Sequence, residues 1–234
     1  PGGWKQGGAP GTKKAKGSGQ MNIWRTTLAA LVIGALGPIG SHALAQSRSA
    51  EPEAAILVAS PGLRDADYRQ AVVIVVPVEN DRHIGVIVNR PTRRTLSSLF
   101  PEHAPSKKVT EPVFVGGPMS RGAVVAVVKS DKDPGKGTVG LTKEMYLAMT
   151  VSVVDHIIED TPNDARYYVG YIVWRPGELR SEIDRKVWSV VNASPDVVFR
   201  KDTTGLWEEL WRLARAITAS LDDSLLPQAT QIHP

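Results

Sequence analysis

Along the chain, apolar residues come in short runs parted by Gly, Pro and Asp, the rhythm of strands with a few helices between them. Ala54 to Ala59 predicts a strand that Ser60-Pro61-Gly62 stops. Ala71 to Val78 is unbroken and β-branched, which suits a central strand buried on both faces. The turn Glu79-Asn80-Asp81-Arg82 leads to a second strand, Ile84 to Val88, and a connection this short permits an antiparallel hairpin alone. Val113 to Val115 and Ala123 to Val128 predict two more strands around Gly116-Gly117-Pro118. Pro91 to Pro112 is polar, with one apolar knot at Leu96, Leu99 and Phe100, and Ser130 to Gly137 is a charged, turn-rich loop.

Thr142 to Asp160 reads as one helix, capped by Thr142, with Met145, Met149, Val153 and Ile157 recurring at every fourth position. Arg166 to Trp174 predicts a strand with Tyr167, Val169, Tyr171 and Val173 on one face. Pro176 suits the first turn of a helix to about Lys186, and Trp188 to Val191 a last strand. Leu206 to Leu221 predicts the closing helix, its stripe made of Leu206, Leu210, Leu213 and Ile217 with Trp207 and Trp211 alongside. Hairpins mixed with helices argue for an α+β class with a mixed, mostly antiparallel sheet.

The amino end changes how charge is read. Pro1 to Gln20 is rich in Gly, Lys and Pro, and reads as a leader segment in front of Met21. From Met21 come Arg25, the apolar run Leu28 to Ile39 and Ala43-Leu44-Ala45, which together read as a signal peptide over 21–45 cleaved before Gln46. Residues 46–55 would then be a linker, 56–221 the single domain and 222–234 a flexible tail. The whole chain carries 28 Lys and Arg against 24 Asp and Glu. Lys5, Lys13, Lys14, Lys16 and Arg25 precede the cleavage site, and removing these five leaves 23 basic against 24 acidic residues. The basic excess belongs to the leader, so no nucleic-acid partner is expected for the mature chain. Contact with a membrane would be transient, through the signal peptide. The expected location is periplasmic or secreted, and cytoplasmic if the start lies elsewhere.

With no cysteine, thiol catalysis and zinc–thiolate sites are excluded. His156 and Glu159 share a helical face, but a single pair favours a solvated surface over a metal. No cofactor, metal or catalytic set is expected. Asp65 and Asp67 form a D-x-D pair, and Gly116-Gly117 suits a tight backbone turn better than an anion cradle.

Four segments in order carry a family resemblance: Ser60-Pro61-Gly62-Leu63 with Asp65-Ala66-Asp67-Tyr68; Ile84-Gly85-Val86-Ile87-Val88-Asn89-Arg90-Pro91; Val115-Gly116-Gly117-Pro118; and Gly170-Tyr171 through Trp174, Pro176-Gly177-Glu178-Leu179 and Glu182-Ile183. With Trp188 and the helix at Trp207 to Leu210, this set resembles the YqgE/AlgH family of bacterial proteins over Ile56 to Ala216. The resemblance implies an α+β domain whose sheet curls into a pseudo-barrel, with no established enzymatic activity and an indirect link to transcriptional control of exopolysaccharide. The chain departs at Gln70, where the family has Arg, at Glu178, where it has Gln, and at Ile172-Val173, where it has small residues. Members are typically cytosolic, so the export signal is a further departure, and a cytosolic AlgH-like regulator would follow if that signal were misread.

Two readings of function follow. One is a non-catalytic binding domain for a protein or a small anionic ligand, with Asn89, Arg90, Gly116, Gly117, Trp174 and Glu178 on one shared surface and Arg90 as anchor. Around it stand the motif residues Pro61, Gly62, Asp65, Pro91, Pro118, Gly170, Tyr171, Gly177, Leu179 and Glu182. The other is a hydrolase or transferase using Asp65 or Asp67 with Glu178 or Glu182 as acid and base. Assembly through a sheet edge or the tryptophan-bearing helix is a milder third.

Overall fold

The computed structural model describes residues 53–225, so the leader, the signal segment at 21–45 and the end of the tail lie outside the described residues. Ten strands form one sheet: β1 (Ala55–Ala59), β2 (Val72–Val78), β3 (Arg82–Ile87), β4 (Pro91–Thr95), β5 (Pro112–Val115), β6 (Met119–Lys129), β7 (Thr138–Thr142), β8 (Met145–Ala148), β9 (Ala165–Trp174) and β10 (Trp188–Asn192). Its order is β10-β1-β2-β3-β9-β6-β8-β7, with β4 on β5 and β5 on β9 beside that path. Every pairing is antiparallel except β5 with β9. The helices are α1 (Leu96–Leu99), α2 (Val151–Asp160), α3 (Glu178–Asp184), α4 (Pro195–Val198) and α5 (Leu206–Leu225), with a 3-10 turn at Ala104–Lys108. The architecture is α+β with a mostly antiparallel sheet that is not closed into a barrel.

Alternation along the strands sorts side chains to two faces. Ile56, Val58, Val72, Ile74 and Val76 join Val125, Val127, Leu147 and α5's Leu206, Leu210 and Ala214 in one cluster. The opposite face carries two: one under α2 with Ala126, Val128 and Tyr167, and one under α3 with Leu57, Val73, Val75, Ile172 and Trp174. This two-sided burial is what the unbroken run from Ala71 to Val78 foretold for β2, and it explains why β1 and β2 contain no polar position.

Three expectations change. The single helix over Thr142 to Asp160 is instead the hairpin of β7 and β8 followed by the shorter α2, entered at Thr150. Met145 and Leu147 face the α5 cluster while Ala148 faces α2's, a period of two that pairing with β6 enforces over the period-four pattern. Thr142 accepts the Glu144 amide in the hairpin turn and caps nothing. In β9, Tyr167 and Val169 share a face but Tyr171 lies with Tyr168 on the other, because Gly170 (φ 72°) switches the alternation. In α5 the buried stripe is Leu206, Leu210 and Ala214, while Leu213 (48 %) and Ile217 (42 %) are exposed, and the helix runs on to Leu225, into the segment expected to be a tail.

At the Gly170 switch, two chain segments meet backbone to backbone. A Cβ on Gly116 would strike the Gly170 carbonyl, and one on Gly170 would strike the carbonyls of Gly117 and, at 2.7 Å, Met119. The Gly116 amide donates to Val169 O and its carbonyl accepts the Ile87 amide, locking β3 to β9 through this crossing. Gly170→Ala is therefore expected to lower the unfolding free energy by about 3 kcal/mol or more, whereas Gly122→Ala, facing open space, changes it by less than about 0.5 kcal/mol. Urea unfolding of the two variants side by side checks this.

Candidate functional site

The segment from Ser60 to Gln70 crosses from β1 to β2 as a chain of turns, bonded internally at Leu63, Tyr68 and Arg69. Asn89 and Arg90, just past β3, bind the carbonyls at its far end. The Asn89 side-chain oxygen accepts the Val72 amide at 2.9 Å, and its Nδ2 donates to Gln70 O at 2.9 Å. The Arg90 guanidinium donates to Asp67 O at 2.6 Å and Arg69 O at 3.0 Å. Gln70 sits at φ 54°, a left-handed conformation for a non-glycine residue that these bonds hold in place. Arg90 is thus spent on carbonyls of this segment and pairs with neither Asp65 nor Glu178.

The expected shared surface does not form. Gly116 and Gly117 are buried in the glycine crossing, and Trp174 is 3 % exposed. Gly177, at φ 73°, turns the chain into α3 and donates its amide to Asp81 at the β2–β3 turn, while Asn89 bonds Val72 at the opposite end of β2. Exposed Glu178 accepts the Arg175 amide at 2.8 Å, a helix-start bond. Among the motif residues, Pro61 and Gly62 make an exposed turn, Pro91 opens β4, Pro118 is half-buried before β6, Tyr171 is half-buried with its hydroxyl on Ser120, and Leu179 is the buried residue of α3.

The four candidate carboxylates are all engaged. Asp65 accepts the Asp67 amide, and Asp67 pairs with Arg121 at 3.1 Å on the surface. Glu182 Oε2 accepts both indole N–H groups, of Trp174 at 2.8 Å and Trp188 at 2.7 Å, which fixes the edge-on row Trp174–Trp188–Tyr68. Burial of the Tyr68 phenol, with these four negative charges around it, raises its pKa and keeps it neutral. None of the four lines either of the two cavities described next. His156 is on the surface beside Asp160, at 3.3 Å, not Glu159.

One opening, of about 380 Å³, lies between the pinned segment and the start of α5, bounded by Arg69, Gln70, Asn89, Arg90, Gly205 and Trp207. Glu208 also reaches its wall. Gly205 at φ 72° turns the chain into α5, and the Trp207 indole is anchored by donating to Ala59 O at 2.8 Å. Two of Arg90's five donors are used. Burial lowers the Arg90 pKa, the Asp67 charge offsets this, and the like charge of Arg69 lowers it further. Two guanidiniums therefore face one space and repel, beside the positive end of a 20-residue helix. Among the described residues, the Arg69 guanidinium has no hydrogen-bond or ion-pair partner. The sequence pattern pointed to Asn89 and Arg90; Arg69 carried no signal, and Trp207 and Gly205 were legible as the start of a helix and no more.

A second opening of about 350 Å³ lies at Glu111, Phe114, Asn163 and Lys201, over a fully buried Arg166. Arg166 Nε donates to Glu111 at 2.9 Å and Nη1 to Val198 O at 2.7 Å, and the guanidinium lies 4.4 Å from the Phe114 ring centre, while its buried Nη2, 2.8 Å from the same carboxylate, makes no hydrogen bond.

Comparison with known proteins identifies the class to which this α+β domain belongs. Residues 56–218 match the profile of the AlgH-like family, and the chain belongs to that family. A UPF0301 protein of Mycobacterium ulcerans (strain Agy99) is 28% identical over 181 residues, covering 72% of this chain and 88% of the relative. The UPF0301 protein ML0028 of Mycobacterium leprae is 29% identical over 164 residues, 67% of this chain and 79% of the relative. The solution structure of the AlgH protein from Pseudomonas aeruginosa superposes with a TM-score of 0.57 at 22% identity, covering 72% of this chain and 92% of that one. The crystal structure of protein DIP2367 from Corynebacterium diphtheriae gives 0.55 at 23%, covering 69% and 86%. These two likenesses establish the fold.

Asn89→Ala removes one acceptor and one donor from the pinned segment. Its unfolding free energy should fall by about 2 kcal/mol, with faster amide exchange at Val72. Unchanged exchange there would show that the segment holds itself.

Proposed function

We propose that this protein is an exported, non-catalytic binding domain that takes a small organic anion, a carboxylate or phosphate compound, in the opening between Arg69, Arg90 and the start of α5. One observation carries this reading: two repelling guanidiniums and a helix amino end share one open space. An anion placed there relieves that repulsion and takes up the Arg69 donors. The volume suits a small metabolite. Glu208 supplies selectivity, because its charge disfavours a multiply charged ligand on that side.

The non-catalytic character rests on how the carboxylates are used. An acid–base pair needs two groups in one cleft, whereas Asp65 and Glu178 are exposed and the four candidates serve a turn amide, a surface pair, a helix start and two indoles. Export rests on Leu28 to Ile39 and Ala43-Leu44-Ala45. Native protein whose first residue is Gln46 supports it, and an intact Met21 in the cytosolic fraction would count against it.

Calorimetric titration with phosphate, succinate and citrate tests the ligand class. At least one should bind, with affinity falling as salt rises. Arg69→Ala should weaken that binding about tenfold and Glu208→Gln should strengthen it. Binding that ignores both changes would place the anion elsewhere.

A further inference from the structure

We propose that the opening between Arg69, Arg90 and α5 takes an amino dicarboxylate, a small molecule with two carboxylates and one ammonium group, and that Glu208 reads the ammonium. This rests on the anion reading above and names the class of ligand within it. Three charged side chains bound the opening: Arg69 on the pinned segment, Arg90 just past β3, and Glu208 in the first turn of α5. Two positive charges therefore stand on one wall and one negative charge on the other. A simple anion satisfies the first wall and is repelled by the second.

Glu208 is not committed elsewhere. Its neighbour Glu209 is held by the Arg200 guanidinium, whereas Glu208 takes Arg212 Nε on its main-chain carbonyl. Among the described residues, the Glu208 carboxylate has no hydrogen-bond or ion-pair partner, as is true of the Arg69 guanidinium. Arg90 gives two donors to the Asp67 and Arg69 carbonyls and keeps the rest. Gln70 and Thr203 add uncharged polar groups to the walls, and the Trp207 indole N–H is spent on Ala59 O. An acid in the first turn also suits the helix dipole, but that role would treat every anion in the opening alike.

The ligand that mirrors these charges carries two negative groups and one positive group. Carboxylates suit guanidiniums because both are planar and bond side by side, and an ammonium donates to a carboxylate of opposite charge. Aspartate and glutamate have this composition at neutral pH, and an opening of about 380 Å³ holds either. Succinate differs from aspartate by the ammonium alone, so the two together isolate what Glu208 contributes. Glu208 is exposed, so solvent screens its pairing and the expected gain is about fivefold.

Calorimetric titration of the purified protein with L-aspartate and with succinate, at one pH and one salt concentration, tests this. Aspartate is expected to bind about fivefold more tightly than succinate, and N-acetylaspartate, which lacks the positive charge, no more tightly than succinate. Glu208→Gln should weaken aspartate and strengthen succinate, so that the preference disappears. Should that variant fail to fold, the acetylated ligand makes the same comparison on the unaltered protein. Succinate that binds as tightly as aspartate, or a Glu208→Gln change that shifts both ligands in one direction, overturns the assignment and leaves the anion site standing. Binding of neither ligand removes both readings.

Discussion

The four hydrogen bonds from Asn89 and Arg90 to the segment entering β2 organise the face of the molecule on which function is argued. Turns close the run internally and Leu63 and Tyr68 pack on the Trp188 cluster, but its last residues, Arg69 and Gln70, are exposed and are not held by burial. An amide that both donates and accepts, next to a guanidinium that donates twice, converts that run into a wall of constant shape. The left-handed Gln70 shows that this wall is held against local preference. Because Arg90 lies half-buried against main-chain carbonyls, its charge stays near the opening without being neutralised by a carboxylate. Arg69, carried on the pinned segment, adds a second charge to the same space.

The glycine crossing places that wall. Gly116, Gly117 and Gly170 let β3's end, the β5–β6 turn and β9 approach closer than side chains permit, and the Ile87 and Gly116 amides bond across it. Residues directly after Ile87 are Val88, Asn89 and Arg90, so the reach of the clamp is set by a contact that tolerates no Cβ. Folding and site share one origin here. A glycine pair that looks like a ligand cradle serves close packing, and an arginine that looks like a ligand anchor serves a loop.

Much of the fold was legible because burial and period agree in β1, β2 and β3, whose apolar runs are bounded by Ser60-Pro61-Gly62 and the Asn80-Asp81 turn. Legibility failed where two periods coexist. Met145, Met149, Val153 and Ile157 fit a helix, yet Met145 and Leu147 fit a strand equally well, and pairing with β6 decides. In β9 the face switch at Gly170 depends on a close approach from another part of the chain, which no local pattern records. For the site, the ordered motifs led to Asn89 and Arg90, but the partner of this pair in space is the α5 start, more than a hundred residues later. Trp174 and Glu182 stood out as functional candidates by residue type, and the structure uses them to build a buried indole–carboxylate junction.

Chemical-shift mapping with a titrated anion such as succinate or phosphate addresses the central claim most directly. The account predicts that the amides of Gln70, Val72, Gly205 and Trp207, and the Trp207 indole N–H, move together along one saturating curve while those around Lys201 and Asn163 stay still. Shifts centred on the Arg166 opening, or no saturable shift at any of the five signals, would contradict it.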